Sequence, residues 1–407
     1  MNLRVITCLA IPIVFCVMGC QRTFLPSASA DPPVVNPQIQ KLEIEKLITQ
    51  AYRNLASPAA NWNFGDLNSG DAYRDGDTFN ALDNQVNLER KKLACLEGID
   101  HVNHAIRLIN EAKVYDEDVA TLQMADLRFL RGHFSFELHR IADVIPLHAV
   151  SKGFMNVKPS WSQIEADFKA AALSFPDSGS RQPEKYGRFA AWAYLAKTFL
   201  YQKKWADVIT AADEVINKGG YGLMAEFADV FLPESDNNRE IVFAIQLDDE
   251  GNARPELTKE DLLEASRELV NYYKTDYMGL PMHNQDGITA ADLIDPRLIS
   301  TLAKQRLLYN RHFYVIRYAD VLLWRAEAAI ELADYETGRQ LINQVRRRAR
   351  DSKKNQKAGH SSVYKIAEYT TLFDCYECAI DALKDERRLE LALEGHRYFD
   401  LLRWGGI

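Results

Sequence analysis

Two helix pairs in this chain repeat one another without a gap, and that repetition narrows the choice of folds more than any other feature. AYLAKTFLYQKKWADVITAADEVI (193–216) aligns with LWRAEAAIELADYETGRQLINQVR (323–346). Ala196 falls on Ala326, Leu200 on Ile330, Trp205 on Tyr335 and Val215 on Val345. Small residues where two helices touch, with an aromatic just after the turn, follow the logic of tetratricopeptide-type repeats. A third segment, ADLRFLRGHFSFEL (125–138), echoes ADVLLWRAEAAIEL (319–332) at Ala-Asp, Arg and Glu-Leu. The intervals between copies are irregular. The expected fold class is therefore mainly α, a tetratricopeptide-like helical-repeat scaffold interrupted by long irregular loop insertions.

Helical periodicity predicts further helices at about 41–56, 90–113, 118–141, 161–174, 187–203, 205–218, 317–333, 336–350 and 376–403. Strand-like signal is sparse, with Ile241–Ile245 the best candidate. Residues 57–88 and 219–316 have little periodicity and are rich in Asn, Asp, Gly, Tyr and Trp. Long loops on a rigid scaffold are where binding residues concentrate.

The start of the chain has another character. MNLRVITCLAIPIVFCVMGC carries one early charge, Arg4, then an apolar run from Val5 to Met18 and Gly19-Cys20. The run is shorter than the ~20 residues that span a bilayer, and suits the core of a secretory signal. It resembles a bacterial lipoprotein signal, residues 1–19, with Cys20 the lipidated first residue of the mature chain. Residues 20–40, with Pro26, Pro32, Pro33 and Pro37, read as a tether, and 41–407 as one helical domain. Of the remaining cysteines, Cys95, Cys375 and Cys378, the odd count argues against a disulfide framework. Cys375 and Cys378 read as two half-buried residues at a helix start, with a reversible disulfide as the alternative.

A net charge of −8 argues against a nucleic-acid surface. The basic run Arg346-Arg347-Arg348 sits at a helix end, where it complements the macrodipole. In the last stretch, DERRLELALEGHRYFDLLRWGGI (385–407), Leu389, Ala392, Leu393, His396, Phe399 and Leu402 fall on one helical face. Glu386, Glu390 and Glu394 form a parallel stripe, with Arg387, Arg388, Arg397 and Arg403 within helical reach. Gly395 inside this pattern costs about 1 kcal/mol against Ala, which points to another backbone packed closely there.

These segments, taken in order, resemble the SusD/RagB family of nutrient-binding outer-membrane lipoproteins. ERRLELALEGHRYFDLLRWG is similar to the family's terminal hallmark and RYADVLLWRAEAA (317–329) to its second signature. LRFLRGHFSFELHR (127–140), residues 186–216, REIVFAIQ (239–246) and DPRL (295–298) support it. IADVIPL (141–147) has one residue more than the family's usual Gly-Asp-Val-Pro-Leu, and 219–316 is short for the family. The resemblance implies a helical scaffold capping a SusC-like TonB-dependent transporter, lipid-anchored at the outer membrane and facing the cell surface. It implies binding of oligosaccharide without catalysis and without a cofactor, or of peptide in RagB-like members. A scaffold that holds only partner proteins is the reading from a different class.

The chemistry-bearing residues agree with a binding role. No Gly-rich phosphate loop, GxSxG elbow, HExxH or paired zinc-finger spacing occurs in the sequence. Asp248-Asp249-Glu250 is a solvated charge run rather than the separated carboxyl pair of a glycosidase. His101 and His104 have metal-ligand spacing but no third partner. Residues 66–77 cluster carboxylates without EF-hand spacing, and no metal site is assigned. Sugars stack on flat aromatic rings while Asn, Asp and Arg bond their hydroxyls. The candidate ligand-binding residues are Trp62, Asp71, Tyr73 and Arg74 in the first irregular region, with Tyr272, Tyr273 and Tyr277 in the second. Trp192, Trp205, Trp324 and Trp404 lie on helices and read as core.

Overall fold

The computed structural model describes residues 36–56, 64–74, 81–142, 159–176, 186–232, 238–246, 263–274, 295–308, 312–352 and 368–406. Along them run α1 (Pro37–Ala56), α2 (Phe64–Ser69), β1 (Ala72–Arg74), α3 (Ala81–Ala112), α4 (Glu117–Ala142), α5 (Trp161–Ser174), α6 (Arg188–Tyr201) and α7 (Trp205–Lys218). A 3-10 turn at Phe227–Phe231 leads to β2 (Ile241–Gln246), β3 (Leu263–Ala265), α8 (Arg267–Tyr272) and α9 (Arg297–Leu308). The chain closes with β4 (His312–Arg317), α10 (Tyr318–Glu331), α11 (Tyr335–Asp351), α12 (Tyr376–Leu391) and α13 (Arg397–Trp404). The expected signal segment, Cys20, Trp62, Tyr277 and the 248–250 charge run lie outside the described residues. Helix α1 begins at Pro37, inside the stretch expected as tether. A proline at the first helical position loses nothing, because its missing N–H would have no intrahelical partner.

The sequence repeat extends to the backbone. Between α6 and α7, Lys203 adopts φ +57°, and at the matching position between α10 and α11, Ala333 adopts φ +62°. The same turn bonds recur in both: Lys204 N to Phe199 O at 3.0 Å and Asp334 N to Ala329 O at 2.8 Å. The helices stack in chain order, α1 on α3, then α4, α5, α6, α7 and α10, with α11 and α12 against α10. Helix α10 is buried nearly all round, so its acids Asp320 and Glu327 must meet cations inside the protein.

The core is aromatic. Phe168 stacks on Tyr194 with centroids 4.8 Å apart, and Phe129 on Tyr186 at 4.0 Å. Trp324 is fully buried, while Trp192, Trp205 and Trp404 are half-buried. Two antiparallel ribbons join distant segments. β2 pairs with β4, and β1 with β3 in the register Ala72 to Ala265, Tyr73 to Glu264 and Arg74 to Leu263. Among the described residues no helix is long and apolar enough to cross a membrane.

Two expectations are corrected. Cys375 and Cys378 are joined in a disulfide at the start of α12 rather than lying unlinked. The continuous helix over 376–403 is two helices, broken at 392–395 where Leu393 (φ +60°) and Gly395 (φ +78°) turn left-handed. The close backbone approach at Gly395 is present: a Cβ on Gly65 of α2 would lie 2.1 Å from the Gly395 carbonyl oxygen. The Gly395 N–H donates to both oxygens of the Asp66 carboxylate, at 3.0 and 3.1 Å. The glycine therefore marks a turn clasped by a neighbouring helix start, not a costly position within a helix.

Candidate functional site

The two irregular regions meet at the β1–β3 ribbon. Tyr73 stands opposite Glu264 and its hydroxyl donates to that carboxylate at 2.8 Å. This bond leaves the ring 44% exposed and held in one orientation. One residue before β1, the Asp71 carbonyl accepts from Ser266 N at 2.8 Å. Ser266 in turn caps α8, accepting from Leu269 N at 3.1 Å, as N-cap serines do. The ribbon thus sets where α8 starts and presents Glu264, Arg267, Glu268 and Asn271 to solvent.

Arg388 of α12 ties the pieces together. It donates to Asp71 Oδ1 through Nε at 3.1 Å and Nη2 at 2.6 Å, and to Glu268 at 2.9 Å. Its guanidinium lies 4.4 Å from the centroid of the Tyr272 ring, a cation–π distance. The Tyr272 hydroxyl donates to Asp385. Burial first, then the Asp385 carboxylate, pushes the Tyr272 phenol above its ordinary range.

Beneath this surface the glutamate stripe of α12 is buried, with Glu386 and Glu390 at 0% exposure. Its partners are not the arginines in helical reach, as expected, but cations from other elements. Arg297 donates to Glu386 at 2.6 Å and Glu390 at 3.0 Å, and to Asp295 at 2.8 Å. Lys304 reaches Glu394 at 2.6 Å, as does Arg317 Nε. Arg348 pairs with Glu390 and, at 2.8 Å, with Glu240. Burial alone would raise the Glu390 carboxyl, but Arg348, then Arg317 and Arg297, outweigh it and hold it down at about 2. The nearby arginines bond other buried acids instead: Arg387 bonds Asp320 and Asp400, and Arg403 bonds Glu327 and Asp400. The α8 segment carrying Tyr272 is therefore backed by an ion-paired floor.

The structure brings Asp71, Tyr73 and Tyr272 together, although 199 residues separate Tyr73 from Tyr272 in the chain. Arg74 sits on the ribbon opposite Leu263; its side chain, with Trp62 and Tyr277, lies outside the described residues. Two expectations for this set are corrected. Tyr273 is 1% exposed, its hydroxyl donating to Leu389 O at 2.7 Å, so its ring is a bolt between α8 and α12 rather than a stacking platform. Asp71 is also 1% exposed, so it positions Arg388 rather than bonding a ligand. Arg388, Glu264, Glu268 and Asp385 were not among the candidate ligand-binding residues. No spacing signal marks them, because each acquires its role from a partner far along the chain.

The other weighed clusters have structural partners. His101 Nδ1 lies 3.1 Å from Asn54 Oδ1, and His104 faces Glu43. Asp66 is committed to Gly395.

Comparison with known proteins bears on what such a face serves. The model of the SusD family matches residues 301–407. The SusD-like protein P25 of Formosa agariphila is 25% identical over 282 residues, covering 54% of this chain and 51% of that protein. The chain thus spans about half the length of this relative. A SusD superfamily protein from Bacteroides vulgatus superposes with a TM-score of 0.66 at 19% identity, covering 91% of this chain and 89% of the other. The surface glycan-binding protein A from Bacteroides uniformis gives 0.60 at 18% identity, covering 90% and 89%.

Proposed function

We propose that the chain, whose residues 301–407 match the SusD family model and whose fold resembles that of SusD superfamily proteins, is a SusD/RagB-family protein and a non-catalytic oligosaccharide-binding subunit of an outer-membrane importer. It is held to the membrane by a lipid on Cys20 and works with a SusC-like TonB-dependent transporter. The observation that carries the reading is the ribbon face. There Glu264 orients a half-exposed Tyr73 ring, and the helix that starts from the ribbon carries exposed Glu268, held by Arg388, and exposed Asn271.

A flat ring beside fixed hydrogen-bonding groups suits a sugar, whose ring has an apolar C–H face and a rim of hydroxyls. Orientation before binding matters because ordering a mobile side chain costs about 0.5–1.5 kcal/mol. The lipoprotein-like signal supports anchorage. The glycan-binding neighbour supports carbohydrate over peptide as the ligand class.

The test is retardation and calorimetry of the purified protein against a panel of plant, algal and host polysaccharides and of peptides. Binding to one glycan class, weakened at least tenfold in Tyr73→Ala with the melting temperature unchanged, is the expected outcome. Binding to peptides alone moves the protein to the RagB-like reading. A folded protein that binds neither is a partner-protein scaffold. Glycan binding that survives Tyr73→Ala undiminished puts the site elsewhere on the molecule.

A further inference from the structure

A second place in the molecule gathers charge without matching it. Helices α3, α4 and α6, the β2–β4 ribbon and the 394–399 segment line a cavity of about 50 Å³ whose lining is mostly buried. Lys91, Arg140 and Lys197 face it together with the carboxylates Glu137 and Glu394, two histidines and the Cys95 thiol. Glu137 serves two of the cations at once, Lys91 at 2.6 Å and Arg140 at 2.6 Å. The third cation has no such partner. Lys197 is 4% exposed, and its ammonium lies 5.7–5.9 Å from the centroids of Phe136, Tyr194 and Trp324. Among the described residues it has no hydrogen-bond acceptor. Arg140 is in a similar position: its Nε is buried without a partner, and the guanidinium lies over the Phe399 ring at 3.7 Å.

The other carboxylates around the cavity already bond other cations. Asp320 and Asp400 act on Lys197 from α10 and α13; Arg387 bonds Asp320 at Oδ1, leaving Oδ2 without a hydrogen-bond partner, and Asp400 is bonded by both Arg387 and Arg403. Glu394 is held by Lys304 and Arg317. The histidines do not contribute a balancing or competing charge at neutral pH. His133 is pulled down to about 4 by burial, with Nδ1 against the Tyr194 hydroxyl at 2.6 Å, and His396 is depressed by burial and then by Lys197. One buried cation is thus left over. An isolated buried ammonium is expensive, and it either loses its proton or acquires an anion. Burial, and next Arg140, lower Lys197 to about 8, so it still carries its proton at pH 7.

We propose that the cavity is a binding site for one small monovalent inorganic anion of chloride size, held by the Lys197 ammonium and Arg140 Nε–H. The cavity is several times the ~10–15 Å³ that one water needs, which leaves room for such an ion and excludes an organic acid of sugar size. The bound ion connects the repeat helices α4 and α6 to the Phe399 ring of α13, which Arg140 already covers. Nothing in this proposal depends on the ribbon face or on what it binds.

The first measurement uses the wild-type protein in potassium chloride and in potassium gluconate at equal ionic strength. A ligand of the folded state raises the melting temperature in proportion to the logarithm of its excess over Kd. A saturable rise of roughly 3 °C is expected in chloride and not in gluconate, together with protein-dependent broadening of the 35Cl resonance. Lys197→Met should remove both. Equal melting in the two salts with no broadening overturns the site, and so does a folded Lys197→Met protein that keeps the chloride effect. If Lys197→Met does not fold, a bromide anomalous peak decides the matter: density beside Lys197 in a soaked wild-type crystal supports the site, and its absence overturns it.

Discussion

Replacing Glu390 by Gln tests whether the ion-paired floor holds the protein together. The side chain is fully buried and accepts from Arg297 at 3.0 Å, Arg317 at 3.1 Å and Arg348. The amide keeps the shape but turns an acceptor into a donor facing three guanidinium groups. Removing one partner from a buried ion network costs about 3–5 kcal/mol, because the cations left behind cannot be resolvated. For the folded unit Pro37–Ile407 the unfolding entropy is ~0.8 kcal/mol per degree, so the melting temperature should fall by ~4–6 °C. Glu368→Gln is the control. Hydrogen bonds from Arg347 hold that carboxyl down at about 2 as well, yet the pair faces solvent and is worth about 0–1 kcal/mol. Differential scanning calorimetry of both variants separates the two cases. If Glu390→Gln melts no lower than Glu368→Gln, the buried network is not what stabilises the fold, and the inference from burial fails.

The same depressed carboxylates make the protein acid-sensitive. Glu390, Glu394, Glu137 and Asp400 are all held below their ordinary range, so the stability they contribute is complete above ~4.5 and lost as pH falls toward ~2. His133 acts in the same direction, since the unfolded imidazole takes a proton near 6.5 that the folded one refuses until about 4; a melting temperature unchanged from pH 6 to 3 contradicts both. Gly65→Ala drives a Cβ to within 2.1 Å of the Gly395 carbonyl, a backbone contact that cannot swing away, and should cost about 1–3 kcal/mol in urea unfolding. Tyr73→Phe keeps the ring but loses the bond to Glu264, so glycan affinity measured by calorimetry should fall less than in Tyr73→Ala; equal losses would mean that orientation, not stacking, is what the residue supplies. Tyr273→Ala should lower thermal stability by about 3–5 kcal/mol through the emptied core position, with no binding defect in whatever remains folded.

Local order was legible in the sequence because local order is written locally. The bounds of α5 and α7 follow from apolar spacing alone, and the α6–α7 and α10–α11 turns could be paired by aligning 193–216 with 323–346. The backbone then reproduces the pairing down to φ at Lys203 and Ala333. Which irregular regions converge, and on what, had no such record. Asp71 and Tyr272 were both named, but only the β1–β3 pairing brings their segments together, and Arg388 joins them. Short strands of three residues carry too few side chains for a period to register. Tyr273 adjoins Tyr272 in the chain and has the same chemistry, yet it points into the core. Helix α8 turns about 100° between neighbours, and only the position of α12 decides which of the two is covered.

The hallmark helix makes the division clearest. Its spacing placed Glu386, Glu390 and Glu394 on one stripe and foresaw a backbone against Gly395. It did not show that the stripe is buried, that its cations come from β4, α9 and α11, or that the helix breaks at 392–395. Periodicity determines which residues share a face. What that face meets depends on chain segments 40 to 93 residues away, and a carboxylate accepts any well-placed cation equally well, so only the assembled structure selects among them.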